Sequence, residues 1–268
     1  MKLVRSYKRP RTFARLNDIV TILGGTKLAF WPFLNGVGGN TYPYGSGNDG
    51  ILLATNTSTL ELIFDPVRHE GGIHSYMNDS ATANLAAADN ANFSFGDALL
   101  DDPFSLGIWI LMQEALGTAR SLMAKYGSTA AAKEYDFRFG TDGKLVMELL
   151  DESVVGDASE IATSAGTALT PWIWQFCTMT YDGNEDAPVI NLYINATSVH
   201  DGTSVETNAY VAMEDLAASL MVGARDATGT AAQVFQGRMA LPFITGKELT
   251  AAEVSQLYAI GQELLGLA

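Results

Sequence analysis

The chain has 268 residues, of which 47% are hydrophobic and 17% are charged, and its formal net charge at pH 7 is −14. This acidity argues against nucleic acid as a partner of the main body, because neutralising phosphates needs clustered Lys and Arg. The single cysteine, Cys177, excludes an intramolecular disulfide. No signal-peptide pattern and no run of about 18 apolar residues stands in the sequence, so we expect no membrane partner.

Positive charge is concentrated at the N-terminus. The first 15 residues hold six cations and no acid, which leaves 10 basic and 30 acidic residues in the rest of the chain. The six cations are Lys2, Arg5, Lys8, Arg9, Arg11 and Arg15. We predict that residues 1–25 form an extended arm, interrupted by Pro10, that docks on an acidic partner through its charges and through apolar anchors such as Leu16 and Ile19. The alternative is a solvated tail that aids solubility.

Short apolar segments separated by turn residues follow this arm and predict an all-β body over residues 26–268. The clearest segments are Lys27–Leu34, Phe104–Met112, Trp172–Tyr181, Val189–Ile194, Ser219–Gly223 and Phe235–Ile244. Phe104–Met112 has apolar residues at both parities, which predicts a central strand buried on two faces. Pro242 predicts an edge or a bulge in the last strand. The small and polar residues 153–170 are expected to form a loop.

One hairpin has a register that the sequence itself predicts. A three-residue loop at residues 141–143, with Gly143 in the left-handed conformation, sets Phe139 opposite Leu145 and Phe137 opposite Met147 on an apolar face. The same register places Asp136 opposite Glu148 on the other face, where Arg138 is diagonal to Glu148 and offsets the like-charge pair. We expect Asp136, Arg138 and Glu148 to lie outside the core, on a solvated or ligand-binding face.

The C-terminus changes to helical periodicity. Thr250 and Glu253 have the spacing of a capping box, and apolar residues then recur at intervals of three and four. This pattern predicts an amphipathic helix over about residues 251–265.

The ordered set of segments resembles the laminin-G-type, concanavalin A-like jelly rolls over about residues 27–260. The resemblance is carried by Phe30-Trp-Pro-Phe33 before a Gly-rich loop, by Phe104-Ser-Leu-Gly-Ile-Trp109, by Tyr181-Asp-Gly183, by Phe235-Gln-Gly237 and by Leu249-Thr-Ala-Ala-Glu-Val254. It implies a sandwich of two antiparallel sheets that meets ligands or partners on the concave face or at the rim loops. Members of this family include sugar-binding modules, adhesion domains, glycan-cleaving enzymes and parts of virus particles, so the fold leaves the activity open.

Catalysis and metal binding are both disfavoured by the residues present. In the glycan-cleaving enzymes that the resemblance brings into question, carboxylates alternate along one strand and lie about 5 Å apart for a retaining mechanism, and no strand here carries that pattern. The calcium ligands that the resemblance implies fall on Pro43 and Ala240, whose side chains offer no oxygen, although Asn48 and Asp49 lie near the first position. His69 and His74 have the spacing of neither a helical zinc pair nor a zinc finger. We therefore expect no enzyme and no cofactor, with calcium as the remaining alternative.

Three functions are compatible with these observations: an assembly component, a carbohydrate-binding module and a glycan-processing enzyme. Sugar binding needs an exposed aromatic platform; of the four tryptophans, Trp172 is the least constrained by the family pattern. The basic arm and the apolar end of the chain favour a virion component, such as a phage capsid decoration protein, that docks through its termini on a protein lattice or on neighbouring copies. The alternative is an extracellular, lectin-like glycan-binding module or adhesin, with Trp172 added to the ligand face of the hairpin.

Overall fold

The computed structural model describes residues 9–25, 27–33, 40–41, 53–55, 61–63, 75–78, 84–127, 132–153, 158–185, 188–227 and 230–267. These residues form two α-helices and 19 short strands, numbered here in chain order. The elements are α1 (Arg9–Leu23), β1 (Leu28–Phe30), β2 (Asn40–Thr41), β3 (Leu53–Thr55), β4 (Glu61–Ile63), β5 (Ser75–Asn78), β6 (Leu85–Ala87), β7 (Phe104–Met112), β8 (Arg120–Tyr126), β9 (Lys133–Phe139), β10 (Lys144–Asp151), β11 (Ala158–Ala168), β12 (Trp174–Tyr181), β13 (Ile190–Ile194), β14 (Thr197–Ser198), β15 (His200–Thr207), β16 (Leu220–Val222), β17 (Arg225–Ala227), β18 (Thr230–Ala232), β19 (Gly237–Thr245) and α2 (Ala251–Leu265).

The strands build two large antiparallel sheets packed as a sandwich, as the sequence predicts. Sheet A has the order β14-β13-β12-β7-β19-β5-β4, with β1 also paired to β19. Sheet B has the order β15-β11-β10-β9-β8-β16-β6-β3-β2, and β17 and β18 form a separate hairpin. The main core lies between the two sheets and is rich in aromatic side chains; Phe104, for example, stacks on Phe95 with a ring-centroid distance of 4.3 Å.

Strand β7 lies in the middle of sheet A and is buried on both faces, which confirms the prediction from its two-sided apolar pattern. One face points into the main core. The opposite face, which carries Trp109, is covered by the two helices in a second apolar cluster. In β19 the pairing with β7 shifts register between Ala240 and Phe243, so the bulge predicted from Pro242 is confirmed.

The extended conformation predicted for residues 1–25 is wrong over the described part of that segment, where Arg9–Leu23 is helical. Pro10 lies in the first turn, where its missing N–H breaks no intrahelical bond, so it starts the helix instead of interrupting it. Leu16, Ile19 and Leu23 pack on α2 and sheet A. The apolar residues predicted to anchor the arm on a partner therefore pack against the body of their own chain.

The hairpin of β9 and β10 has the predicted register. Phe139 pairs with Leu145, Phe137 with Met147 and Asp136 with Glu148, and Gly143 is left-handed with a φ of 77°. Phe137 and Met147 are fully buried in the main core.

Helix α2 has the predicted bounds and the predicted start. The Thr250 hydroxyl accepts a hydrogen bond from the Glu253 amide, and the Glu253 carboxylate accepts one from the Thr250 amide. The helix ends at Gly266, whose left-handed backbone (φ 66°) forms the C-cap.

The loop predicted for residues 153–170 is wrong because Ala158–Ala168 forms strand β11. This strand pairs with β10 on one side and β15 on the other. Its small residues have low strand propensity. The strand is stabilised instead by backbone pairing with its two neighbours and by Ala158 and Ala162, which pack in the main core.

Candidate functional site

The outer face of sheet B brings together the three charged residues predicted for it. The Arg138 guanidinium donates to the Glu148 carboxylate across the hairpin, and Arg138 Nη1 lies 3.6 Å from Asp136 Oδ2. Arg225, from the separate β17–β18 hairpin, adds a hydrogen bond of 3.0 Å to the same Asp136 oxygen. Both arginine side chains and Glu148 are about one-fifth exposed.

The exposure predicted for Asp136 is wrong, because this carboxylate is fully buried. Its other oxygen accepts a 2.6 Å hydrogen bond from the Ser121 hydroxyl. Burial raises the pKa of Asp136, whereas Arg138, Ser121 and Arg225 lower it in part. The Asp136 and Glu148 carboxylates are thus satisfied by the chain itself, and they form a structural ion network on this face.

Trp172 lies away from this network, at the rim of the sandwich where β7 ends and β12 begins. Its side chain is 62% exposed and that of Ile173 is 49% exposed, whereas the other three tryptophans are buried. The Trp172 backbone has a φ of 69°, a left-handed conformation that a bulky residue rarely adopts. A hydrogen bond of 2.8 Å from the Trp172 amide to the Met112 carbonyl holds it there.

Three loops meet at this end, which we call the Trp172 rim and define as residues 113–119, 140–143 and 169–173. The Leu169 amide donates to the Gly143 carbonyl (2.8 Å), and a Cβ at residue 143 would lie 2.6 Å from Leu116. The polar side chains beside this apolar surface include Glu114 and Arg120, joined by two hydrogen bonds of 2.5 and 2.6 Å. The rim therefore offers an aromatic platform with fixed hydrogen-bonding groups next to it.

At the opposite end, the strandless segment 208–219 is held by buried carboxylates. Asp101 accepts hydrogen bonds from the hydroxyls of Tyr181 (2.9 Å) and Tyr210 (2.5 Å) and from the Met213 amide (2.9 Å). Burial raises the pKa of Asp101 to about 6, against the lowering effect of these three donors.

Glu134, on strand β9 of sheet B, holds the same segment. It accepts the Leu216 amide at 2.8 Å and forms an ion pair with Lys125, and both of these charged side chains are fully buried. Burial raises the pKa of Glu134 to about 7, and the Lys125 ammonium lowers it in part.

A third anchor of the segment is the carboxyl pair of Asp151 and Glu214, which share a hydrogen bond. Asp151 accepts the Val211 amide at 3.0 Å, while Glu214 accepts the Glu152 and Ser153 amides at 3.0 and 2.6 Å. Through these hydrogen bonds the pair ties the end of β10 to segment 208–219.

Of the six predicted docking cations, Lys2, Arg5 and Lys8 lie outside the described residues, and Arg9 and Arg11 lie in the first turn of α1. The Arg15 guanidinium pairs with Glu263 of α2 at 2.8 Å and with Asp18 at 3.1 Å. Arg15 therefore joins the two helices of its own chain, beside a groove of about 410 Å³ floored by Ile22 and Ile260.

The residues considered for metal binding do not converge where the structure describes them. Ala240 is buried beneath the helices, and Pro43, Asn48, Asp49, His69 and His74 lie outside the described residues. Within the described ranges, no three His, Cys, Asp or Glu side chains are grouped as metal ligands would be. Cys177 is buried in the main core, and burial raises the pKa of its thiol. Neither helix in the described part of the chain has the length and hydropathy needed to cross a membrane.

Residues 85–255 match the family model of the concanavalin A-like lectin/glucanase superfamily, laminin-G type. The chain belongs to this superfamily, in agreement with the resemblance seen in its sequence. A search of curated protein sequences finds no significant match.

Two solved structures with the same fold are binding domains. The binding domain of Paraclostridial mosquitocidal protein 1 has a TM-score of 0.61 at 15% identity, over 87% of this chain and 52% of that chain. The binding domain of botulinum neurotoxin serotype G has a TM-score of 0.61 at 16% identity, over 89% and 51% of the two chains. This chain therefore spans about half the length of both.

A third structure is domain 4 of AbnA, an extracellular arabinanase from Geobacillus stearothermophilus, in complex with arabinotriose. Its TM-score is 0.51 at 13% identity, over 75% of this chain and 82% of that chain. At these identities the three likenesses show the fold.

Sequence reasoning missed Arg225, the anchors of segment 208–219 and the exposed Ile173. Arg225 carries no local signal, because the β17–β18 hairpin reaches Asp136 from 89 residues away. The anchors of segment 208–219 were missed for the same reason. Ile173 could have been found, because Pro171 and Trp172 precede the strand and indicate a turn that would expose the residue next to them.

Proposed function

We propose that this chain is a non-catalytic carbohydrate-binding module whose ligand stacks on Trp172. The observation that carries the proposal is the largely exposed indole of Trp172, held at the rim by a strained left-handed backbone. Backbone strain at an exposed aromatic residue is a feature of ligand sites, because the surrounding structure must maintain it against its conformational cost. A rigid aromatic face next to paired polar groups suits the apolar face and hydroxyl groups of a sugar ring.

Further support comes from the fold and from the carboxylates. The related domain of AbnA was solved with a bound arabinose oligomer, so a domain of this architecture can serve as a glycan-binding unit. The carboxylate couples at Asp136/Glu148 and Asp151/Glu214 are engaged by arginines or backbone amides, which supports a binding role over hydrolysis.

Native gel electrophoresis in gels containing soluble arabinan, and then a panel of other polysaccharides, tests this proposal. We expect the wild-type chain to be retarded by at least one glycan and Trp172→Ala to migrate as in the glycan-free gel. Val205→Ser is the matched control, because Val205 is also exposed (59%) but lies on β15, away from the Trp172 rim. Equal retardation of the wild type and Trp172→Ala would reject the rim as the site.

A structural role in a larger assembly, such as a virus particle, is the second candidate. It is favoured by the separation of charge, with six cations in residues 1–15 ahead of a body that carries 10 basic and 30 acidic residues. A virion location belongs to this candidate and an extracellular location to the glycan-binding module; both locations stay predictions.

A further inference from the structure

A fixed apolar tip lies at the end of the sandwich opposite the Trp172 rim. The side chains of Leu99 and Leu100 are 72% and 63% exposed. Asp97 holds the turn: its carboxylate accepts the amides of Leu99 (3.0 Å) and Leu100 (2.9 Å), and its own amide donates to the Leu100 carbonyl. The Ala98 amide donates to the Met213 carbonyl at 2.8 Å, so the turn is also fastened to the body. We call residues 97–101 the Leu99–Leu100 tip.

Acidic side chains surround this tip. Asp97 and Asp102 flank the leucines, and Asp182 lies on the adjoining turn, where Gly183 packs against Pro103. Asp215 reaches the same end through a 2.8 Å hydrogen bond from Ser94. The described lysines at this end each pair with an acid: Lys27 with Asp102, Lys125 with Glu134, Lys133 with Glu152 and Lys247 with Glu253. A partner suited to this surface would bring apolar side chains flanked by cations.

The N-terminus of the chain has that composition. Residues 1–11 contain Leu3, Val4 and Tyr7 among the cations Lys2, Arg5, Lys8, Arg9 and Arg11, and no acid. Burying two leucines against such side chains provides the apolar contribution, and the cations are opposite in charge to the carboxylates of Asp97, Asp182 and Asp215 at this end.

The direction of α1 places the start of this segment at the other end of the molecule. The C-terminus of α1 is fixed at the tip end, where the Thr245 hydroxyl donates to the carbonyls of Leu23 (2.9 Å) and Gly24 (3.0 Å). The start of α2 is at the same end, because the Leu249 amide donates to Ser105. Since Arg15 pairs with Glu263, near the far end of α2, the N-terminal half of α1 points away from the tip.

We propose that residues 1–11 of one copy dock on the Leu99–Leu100 tip of a second copy, so that copies associate head to tail. Arg9 lies about 21 Å from Leu23 at the helical rise of 1.5 Å per residue. To reach the tip of its own copy, the segment 1–8 would have to run straight back along α1 at nearly its full extended length of about 27 Å. A second copy placed end to end presents its tip without that constraint.

Such a contact joins two different surfaces, so it forms chains or rings instead of a closed two-fold dimer. This inference goes beyond the glycan-binding proposal, and it would hold whether or not Trp172 binds a sugar.

Sedimentation velocity of the full chain over a range of concentrations tests this arrangement. We expect species larger than the 28.7 kDa monomer at low salt, and their dissociation in 0.5 M NaCl because screening weakens the charge attraction. The arm variant Lys2→Glu/Arg5→Glu/Lys8→Glu and the tip variant Leu99→Ser/Leu100→Ser should each weaken association by at least about tenfold. Their melting temperatures should match the wild type, because the two leucines are exposed.

Mixing the two variants gives the decisive result. The arm variant still has an intact tip, and the tip variant still has an intact arm, so the two should form one contact with each other. The resulting dimer should not grow further, because its two remaining surfaces are both mutated; this outcome is specific to a head-to-tail interface. Val205→Ser should associate like the wild type. A chain that stays monomeric at every concentration overturns the proposal, and so does association that neither variant weakens. Arabinan retardation by the tip variant, run in parallel, reports on the glycan site separately.

Discussion

Gly261 of α2 lies against the indole of Trp109 so closely that a Cβ atom at residue 261 would sit 2.2 Å from Trp109 Nε1. One turn earlier, Tyr258 stacks on the same indole with a centroid distance of 5.4 Å and an interplanar angle of 9°. Helix α2 can thus lie directly on Trp109 of sheet A because residue 261 has no side chain, and the stacking of Tyr258 on the same indole stabilises this contact.

We predict that Gly261→Ala destabilises the fold even though alanine is the better helix former. Propensity alone would favour the variant by about 1 kcal/mol. Overpacking against Trp109 should outweigh this gain and lower the free energy of unfolding by about 1–3 kcal/mol net. Urea denaturation measures the difference. Gln256→Ala, on the exposed side of α2, is the control and should change stability by less than about 0.5 kcal/mol. A more stable Gly261→Ala protein would show that the helix can move off the indole.

The buried carboxylates at the tip end predict greater stability in mild acid than at alkaline pH. Burial raises the pKa of Asp101 to about 6 and that of Glu134 to about 7, so the folded protein holds these protons more tightly than the unfolded chain does. The stability gained from this difference is fully present only below the ordinary pKa values of these carboxyl groups, near pH 4, and it is lost as the pH rises through 6 and 7. Together the two groups should change the free energy of unfolding by a few kcal/mol, on the order of 1.4 kcal/mol for each unit of pKa shift.

Melting temperatures between pH 5 and pH 8 measure this effect, and they should fall as the pH rises. Below about pH 4 we expect the melting temperature to fall with falling pH instead. Hydrogen bonds from Lys247 and Thr250 outweigh burial and lower the pKa of Glu253, and the stability that this carboxylate contributes is lost when it is protonated. Glu134→Gln, which cannot ionise, should flatten the curve between pH 6 and pH 8. A wild-type melting temperature that stays constant from pH 5 to pH 8 would contradict the raised pKa values of Asp101 and Glu134.

Asp136 shows where sequence reasoning reached its limit. Alternation along β9 and β10 predicted the register and the apolar face correctly, because both depend only on neighbours within one hairpin. The burial of Asp136 depends on Arg225, which belongs to a distant hairpin that no local pattern connects to it. In the same way, residues 158–168 form a strand only because β10 and β15 lie on either side. Trp172, by contrast, was singled out from the sequence because it is the tryptophan least constrained by the family pattern.

Removal of the Asp136 carboxylate should be strongly destabilising. Asp136→Ala would leave Arg225 and Arg138 partly buried beside a cavity, at a loss of about 3 kcal/mol. The double variant Asp136→Leu/Arg225→Met removes both charges of one pair and should recover part of that loss, because neither partner is then left uncompensated. Guanidinium denaturation of the single and double variants distinguishes a structural network from a surface ligand face. If Asp136→Ala unfolds at the wild-type midpoint, the network contributes nothing.

Substitutions at Trp172 test whether the left-handed backbone at this residue costs stability that the exposed indole does not recover. With a φ of 69°, a residue other than glycine at position 172 pays on the order of 1–2 kcal/mol, and the exposed side chain returns little burial energy. Trp172→Gly should therefore be more stable than Trp172→Ala by about 1 kcal/mol and at least as stable as the wild type, while both variants lose glycan retardation.

Ile173 is the matched control for that comparison, since it is also exposed but its backbone is not left-handed. There the order should be reversed: Ile173→Gly should be less stable than Ile173→Ala by about 0.5–1 kcal/mol, because glycine has more conformational freedom to lose on folding. Thermal melts of the four variants give both differences in one experiment. If the glycine variant is less stable than the alanine variant at both positions, residue 172 carries no backbone strain. The exposure of the indole would then be the one observation in favour of Trp172 as a binding platform.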